Sequence, residues 1–356
     1  MKNVPLALWT KLADVVGLVA TPLVPSHYIG LISPLAATHT RKARIVAVHD
    51  ETADTRTLTL RPGRGWHAHR PGQHVQVGLA IDGRIATRTY SISSAPDRRD
   101  GCFTITVKAQ GRASRALVRD ARPGDYLNIG LPAGDFVVSE APGRRLFITA
   151  GSGITPVMSM LRHLASHGEL RGVVHVHYAR NEEDVIFGGE LRALAVDHPG
   201  YRLMIIHTHV DPRRFSSERL DELVPDWRTR EAWACGPQGL LATALETFAR
   251  AERTLHVERF TAALAAPPAA EAPGTVAFTT TRTKTRSDGR SPLLRIAEEA
   301  GIPAPHGCRM GICHTCDTTL VAGCVRDLRT GERIAEPGAR IQVCVCAAEG
   351  DVELAL

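Results

Sequence analysis

One stretch of the chain reads Cys308-Arg-Met-Gly-Ile-Cys313-His-Thr-Cys316, and further thiols follow at Cys344 and Cys346. Three thiolates spaced C-x4-C-x2-C, with a fourth about thirty residues on, can hold a [2Fe–2S] cluster. Four sulfurs must wrap two irons, so the backbone between them has to curl tightly. Gly307 and Gly311 lack a Cβ and permit such a path. Amides of the loop can then point at the sulfurs and tune the potential. Zinc is the competing chemistry, but zinc sites usually show two short cysteine knuckles. Here one close set is followed by a lone distal ligand. A cluster moves one electron at a time, so the rest of the chain should supply a donor or an acceptor.

Two other constellations suit a donor. Arg88-Thr89-Tyr90-Ser91 offers a charge for a pyrophosphate, a ring that can stack on a flat heterocycle, and a hydroxyl for a ring heteroatom. Taken alone these four residues also fit an ordinary cross-strand pattern. Gly111-Arg112-Ala113-Ser114 opens an apparent helix and would present backbone N–H groups to a phosphate. Gly151-Ser-Gly153-Ile-Thr155-Pro156 follows a strand and enters a helix, where the glycines let a dinucleotide approach the helix N-terminus. Pro156 suits a first helical turn, since its missing N–H costs nothing there. Cys235-Gly236-Pro237 ends a later strand, and read alone it is a buried cysteine before a helix start.

These residues carry resemblances. The cysteine stretch is similar to the plant-type ferredoxin family, which places its last ligand in a short strand after an apolar run. Ile341-Gln342-Val343-Cys344 aligns with it, so the resemblance names Cys344 as the fourth ligand after Cys308, Cys313 and Cys316. Cys346 is the runner-up, two residues on and hence on the same strand face. Arg88 to Ser91 resembles the R-x-Y-S flavin motif of the ferredoxin–NADP reductase family. Gly151 to Pro156 matches that family's G-x-G-x-T-P rather than the common G-x-G-x-x-G, and Cys235 to Pro237 matches its C-G-P. The family segment like Gly111 to Ser114 touches the FAD pyrophosphate, Gly134-Asp135-Phe136 closes the barrel, and the end of the reductase around Phe260 lies near the flavin. Arg180, at a strand end, would pair with a 2′-phosphate and favour NADPH over NADH; Glu182 or Glu183 could claim it instead.

From about residue 41 to 356 the chain therefore resembles the electron-transfer reductases of oxygenases. The resemblance implies FAD, [2Fe–2S] and NADPH (or NADH) as cofactors. It also implies a hydride passing to FAD, then single electrons passing through the cluster to an outside acceptor. Cofactors do the redox chemistry, so no catalytic acid, base or nucleophile is nominated. Thr21-Pro-Leu-Val-Pro-Ser-His-Tyr28 and Arg309-Met-Gly-Ile-Cys313 look similar to actinobacterial reductases that serve membrane fatty-acyl desaturases. That makes a membrane di-iron desaturase or alkane hydroxylase the first expected acceptor. A soluble Rieske-type ring hydroxylase or a cytochrome P450 is the alternative. A redox sensor or zinc-binding module is the non-enzyme alternative, and a colourless protein would select it.

The elements that must position these residues follow from periodicity. Runs such as Ala43–His49, Thr55–Arg61, Gln73–Leu79, Thr89–Ser93, Cys102–Lys108 and Tyr126–Leu131 alternate between turn residues, as in a small antiparallel barrel. Four strands beginning at Arg144, Val173, Tyr201 and Ala232 alternate with helices, which argues a doubly wound parallel sheet. The expected architecture is multidomain. Residues 1–40 are an apolar extension, 41–141 an antiparallel β-barrel for FAD, and 142–261 an α/β domain for NAD(P). An Ala/Pro linker at 262–274 and an α+β ferredoxin-like β-grasp at 275–356 complete it.

Composition sets limits. The 356 residues are 44% hydrophobic and 22% charged, with net charge +6, as in an ordinary globular protein. No basic run or aromatic platform suggests nucleic acid. Five of the eight cysteines gather at the iron site rather than spreading as a disulfide scaffold, which points to a reducing cytoplasm. Residues 1–37 are apolar but broken by Lys11, Asp14, Pro22, Pro25 and Pro34, too short a run to span a bilayer. They either pack on the first domain or seat the protein peripherally on a membrane, with Trp9 and Tyr28 as anchors. The last domain balances ten basic against ten acidic residues, and tethering lessens its need for charge steering.

Overall fold

The structure, a computed structural model, describes residues 34–36, 41–81, 84–260, 272–307, 309, 311 and 314–356. The N-terminal extension up to residue 33, most of the linker (261–271) and the ligand positions Cys308 and Cys313 lie outside the described residues.

Six strands form the first antiparallel sheet: β1 (Lys42–Thr52), β2 (Thr55–Pro62), β3 (His74–Ile81), β4 (Arg84–Ser91), β5 (Phe103–Lys108) and β6 (Tyr126–Ile129). Their order is β4-β3-β6-β1-β2-β5. The two ends meet, because Ile92 bridges Ile105 and Ser93 N–H donates to Thr104 O at 2.8 Å. Closure leaves no free edge to template aggregation. Leu58, Leu60, Val75, Val77, Phe103 and Ile105 fill the barrel, and α1 (Arg112–Arg119) lays Leu117 and Val118 against them.

The second sheet is wholly parallel, in the order β11-β10-β7-β8-β9. Its strands are β7 (Arg145–Ala150), β8 (Val173–Ala179), β9 (Tyr201–His207), β10 (Glu231–Cys235) and β11 (Leu255–Glu258). The last of these, only four residues long, is too short for periodicity to reveal. Helices α2 (Ile154–Ser166) and α3 (Gly188–Asp197) cover one face, packing Leu161 and Leu191 with Phe147 and Trp233. On the other face, α4 (Ser217–Leu223) and α5 (Gln238–Arg250) pack Leu220, Leu241 and Phe248 with Leu146, Ile148 and Ala232. With both faces covered, these strands read as continuous apolar runs rather than alternating ones.

Two histidines interrupt that core. His175 and His177 are fully buried. Thr149 Oγ1 lies 2.7 Å from His175 Nε2 and 2.8 Å from His177 Nδ1, while His175 Nδ1 meets Tyr201 OH at 2.9 Å. Burial holds both rings neutral, His177 with its pKa down at about 3. The unfolded chain has ordinary histidines and takes up protons first as pH falls. Each ring's contribution is therefore present above about pH 6.5 and declines below it, by up to about 1.4 kcal/mol per pH unit. We expect the melting temperature to fall as pH drops from 6.5 toward 4, with a shallower fall in His177→Gln. Equal slopes in the two proteins, read by circular dichroism, would contradict this.

The third body has the sheet order β13-β12-β17-β14-β15, with β16 paired to β14. It comprises β12 (Gly274–Phe278), β13 (Thr283–Ser287), β14 (Asp317–Asp327), β15 (Arg333–Ile334), β16 (Arg340–Gln342) and β17 (Cys346–Leu354). Helix α6 (Leu293–Glu299) crosses it, burying Leu293, Leu294, Ile296 and Ala297. One expectation needs correcting. Cys344 does not lie in a strand: β16 stops at Gln342, residues 343–345 form a turn, and β17 starts at Cys346. Val345 N–H donates back to Gln342 O at 3.0 Å, and Leu328 N–H takes Val345 O at 2.7 Å, which fixes the turn. Cys344 and Cys346 therefore share no strand face.

Candidate active site

Two joined clefts run along the boundary between barrel and parallel sheet. The first, about 210 Å³, is lined by Arg88, Thr89, Tyr90 and Ser91 from β4, Thr106 and Lys108 from β5, and Gly111, Ala113 and Ser114 at the start of α1. Ser152, Thr155 and Phe260 face it from the other domain. The second, about 460 Å³, is lined by Gly151, Ser152, Gly153, Tyr178, Arg180, Asp184, Thr208, Gly236 and Pro237. Lys108, Gln110, Ser152 and Phe260 border both, so what binds in one lies against what binds in the other.

The first cleft fits a flavin. Thr89 Oγ1, Tyr90 OH and Ser91 Oγ are buried with no hydrogen-bond partner within the described residues. Three orphan polar groups on successive residues of one strand are costly unless a ligand satisfies them. Burial pushes the Tyr90 hydroxyl up to about 12, so it stays protonated and able to donate. Arg88 is half-buried and donates to Thr87 O at 2.7 Å. Burial lowers its pKa, and the nearby Arg309 guanidinium of the cysteine loop lowers it further. The segment after β5 departs from the expected role. Ser114 Oγ accepts the N–H groups of Gln110 and Gly111, both at 2.9 Å, so those two amides are capped by the protein itself. Lys108 and Gln110, at the cleft edge, are the polar side chains that the sequence reading missed. Lys108 reads as one more polar residue of an alternating strand, and only barrel closure aims it inward.

The second cleft fits a dinucleotide, and its glycines do two different things. Gly151 has φ +52°, with open space where a Cβ would point. Gly153 has an ordinary backbone, but a Cβ there would lie 2.1 Å from the carbonyl oxygen of Cys235. The close approach of the β7–α2 turn to the end of β10 therefore requires glycine. Of the sequence-named residues, Thr155 faces the first cleft rather than the second, and donates to Ser152 O at 3.0 Å. Pro156 and Cys235 are buried beside the clefts and line neither, and Arg112 also lines neither. Burial, then the neighbouring Glu258 carboxylate, pushes the Cys235 thiol well up, so it is no nucleophile. Arg180 is exposed at the end of β8 and pairs with Asp184 at 3.5 Å, not with Glu182 or Glu183. Sequence reasoning also missed the pair of Glu258 with His74 at 3.6 Å, which ties β11 to the barrel. Glu258 Oε2 is buried without a partner among the described residues.

Of the four expected cluster ligands, Cys316 and Cys344 are described, and both are buried. A hydrogen bond between their thiols draws Cys316 down to about 6. Cys346 heads β17, paired in register with Asp327, and burial with that carboxylate pushes its thiol up to about 12. Gly311, Arg309 and His314 have φ of +71°, +60° and +55°. A Cβ on Gly311 would meet Arg329 Nη1 at 2.3 Å. The two described thiols and this curled backbone fit an iron–sulfur cluster. The loop also faces the flavin strand. Glu298, His306 and Thr315 share a cleft with Ile85 and Thr87 of β4, and Arg309 pairs with Glu298. No described helix is long and apolar enough to cross a membrane.

Comparison with known proteins agrees with this division. Residues 42–138 match the oxidoreductase FAD-binding domain family and 147–245 the oxidoreductase NAD-binding domain family. Residues 278–349 match the 2Fe-2S iron-sulfur cluster binding domain family. The chain is 45% identical over 354 residues to the NADPH oxidoreductase of Mycobacterium tuberculosis, covering 97% of this chain and 92% of that protein. It is 33% identical over 312 residues to the ferredoxin reductase component of 3-ketosteroid-9-alpha-monooxygenase from Mycolicibacterium smegmatis, covering 80% and 87% of the two chains. Among solved structures, phthalate dioxygenase reductase superposes with TM-score 0.64 at 26% identity, over 88% of this chain and 97% of that one. Three cofactor sites set in contact thus have their counterpart in known enzymes: the chain belongs to the ferredoxin–NADP reductase-like oxidoreductases with a C-terminal [2Fe–2S] domain, which use FAD and NAD(P)H.

Proposed function

We propose that this oxidoreductase is the reductase component of an oxygenase system, taking a hydride from NADPH and delivering electrons singly to a separate terminal oxygenase. The observation that carries the reading is the shared border of the two clefts, with the cysteine loop against the start of the same flavin strand. FAD, when bound, supplies the conversion of a two-electron hydride into one-electron steps. The protein's share is placement. Tyr90, Ser91 and Thr89 would hold the flavin, Phe260 borders both clefts, and Gly151, Gly153, Gly236 and Pro237 would let the dinucleotide lie close. Cys316 and Cys344, with Cys308 and Cys313, hold the cluster.

The identity of the acceptor rests on relatives. The Mycolicibacterium protein and phthalate dioxygenase reductase are named as partners of oxygenases, and this favours a terminal oxygenase over a desaturase. A membrane di-iron desaturase is the second reading, carried only by the likeness of residues 21–28 and 309–313 and by no named relative. Reconstitution decides between them. The full chain and a form lacking residues 1–37 are each mixed with NADPH and a purified ring hydroxylase, or with a desaturase in liposomes. The oxygenase reading expects product from the hydroxylase with both forms. Turnover only with the desaturase, and only by the full chain, would replace it with the second reading.

Arg180 accounts for the preference for NADPH, since its exposed guanidinium at the strand end can leave Asp184 for a 2′-phosphate. Arg180→Ala is expected to raise the KM for NADPH roughly tenfold or more while leaving that for NADH nearly unchanged. Steady-state dye reduction with the two nucleotides measures both, and equal changes would remove the phosphate role.

A further inference from the structure

We propose that Asp97, His163 and His167 form a divalent transition-metal site that clips the flavin barrel to the nucleotide domain. His163 and His167 stand four residues apart on α2 and so on one helix face, with ring centroids 4.2 Å apart. Asp97 comes from the other domain, on the loop that follows β4. One nitrogen of each ring and one carboxylate oxygen lie within 4.8 Å of one another, the single such group among the described residues.

The surroundings prepare the rings as ligands. His167 Nδ1 lies 2.9 Å from the His163 carbonyl oxygen. A carbonyl only accepts, so Nδ1 carries the proton and Nε2 keeps its lone pair, the tautomer that metal-bound histidines adopt. His163 Nδ1 is buried and has no hydrogen-bond partner among the described residues. Ser166 Oγ donates to His163 O at 2.8 Å and lies 3.1 Å from His167 Nδ1 and 3.3 Å from Asp97 Oδ2, within the same cluster.

Beneath the site the domain contact is already fixed. Ser159 Oγ donates to Ser94 O at 2.6 Å and Arg162 Nη1 to Ser93 O at 2.7 Å. The ligand positions therefore need only local side-chain adjustment. The plain alternative, two unligated imidazoles and a solvated carboxylate, leaves the His163 nitrogen without a role.

Two imidazole nitrogens and one carboxylate oxygen suit Zn2+, Ni2+ or Cu2+, whereas Ca2+ and Mg2+ prefer all-oxygen cages. With three protein ligands, a fourth position stays open to water. The ion would hold together two domains whose shared clefts must stay in register, and would stabilise only the docked arrangement. The site has no sulfur and is distinct from the cysteine loop.

Cu2+ on the oxidised holoprotein tests this, because oxidised FAD and an oxidised [2Fe–2S] cluster give no electron paramagnetic resonance. One equivalent of Cu2+ should show nitrogen superhyperfine structure from two imidazoles. His167→Ala, at an exposed position, should abolish that pattern, and Asp97→Asn should weaken binding roughly tenfold or more. Both variants should retain NADPH-driven ferricyanide reduction, which shows that they fold. In parallel, Zn2+ should raise the melting temperature of the wild type and not of His167→Ala. A wild type that shows no two-nitrogen copper signal, or variants with a signal and affinity like the wild type, would overturn the proposal.

Discussion

Replacing Cys344 with serine should strip the protein of its [2Fe–2S] absorbance, while Cys346→Ser keeps it. Spacing alone could not separate the two thiols, since both follow Cys316 by about the interval that plant-type clusters use. Structure separates them by local geometry. Cys344 projects from a three-residue turn, its thiol in contact with that of Cys316. Cys346 is held in the β17–β14 ladder opposite Asp327, beside a carboxylate that disfavours a thiolate. Serine at 344 should therefore reduce cytochrome c reduction, which needs the cluster, to the background of the flavin alone. Ferricyanide reduction, which flavin can serve directly, should persist. Serine at 346 should change packing modestly and leave both activities. Iron content per chain and the two dye assays check this together, and an intact cluster in Cys344→Ser would reverse the assignment.

Gly153→Ala should be the most damaging single-methyl change in the nucleotide domain. The added Cβ would lie 2.1 Å from the Cys235 carbonyl oxygen and 2.8 Å from the Gly236 amide nitrogen. Backbone on the facing side cannot swing away as a flexible side chain could, so the β7–α2 turn must lift from β10. We expect a loss of about 3 kcal/mol in stability. A displacement of this kind should also lower kcat/KM for NADPH roughly 100-fold. Gly151→Ala is the control. Its Cβ meets open space, and its φ of +52° costs only about 1–2 kcal/mol of backbone strain. Denaturant unfolding and steady-state kinetics on both variants test the contrast. Equal effects at the two positions would mean that conformation, not close approach, is what glycine provides here.

How much was readable in advance follows the range of the interactions. Arg88 to Ser91, Gly151 to Pro156 and the cysteine spacing are local strings; Arg88 to Ser91 line the first cleft and Gly151 and Gly153 the second, while Cys308 and Cys313 lie outside the described residues. The barrel was legible from period-two runs between turn residues, and the parallel sheet from the alternation of strands with helices. Residues fixed by distant partners were not legible. Glu258 is a lone acid after a four-residue strand until His74 arrives from the barrel. Thr155 looked like a dinucleotide contact because it follows the glycines, yet the first turn of α2 aims it at the flavin cleft. The amides at the start of α1 read as phosphate donors, but the Ser114 hydroxyl accepts those of Gln110 and Gly111 within the loop itself. The Cys344 turn escaped notice because Val343 and Val345 favour a strand. Two backbone hydrogen bonds, Val345 N–H to Gln342 O and Leu328 N–H to Val345 O, bend the chain there.

The central claim is an ordered path from nucleotide through flavin to cluster within one chain. Anaerobic mixing of the holoprotein with NADPH, followed by flavin absorbance and by paramagnetic resonance of rapidly frozen samples, tests it directly. The account predicts that flavin bleaching comes first and that the signal of the reduced cluster rises after it. Cys344→Ser should bleach and show no such signal. A cluster that stays silent in the wild type while the flavin is fully reduced, or one reduced in flavin-free protein at the same rate, would contradict it.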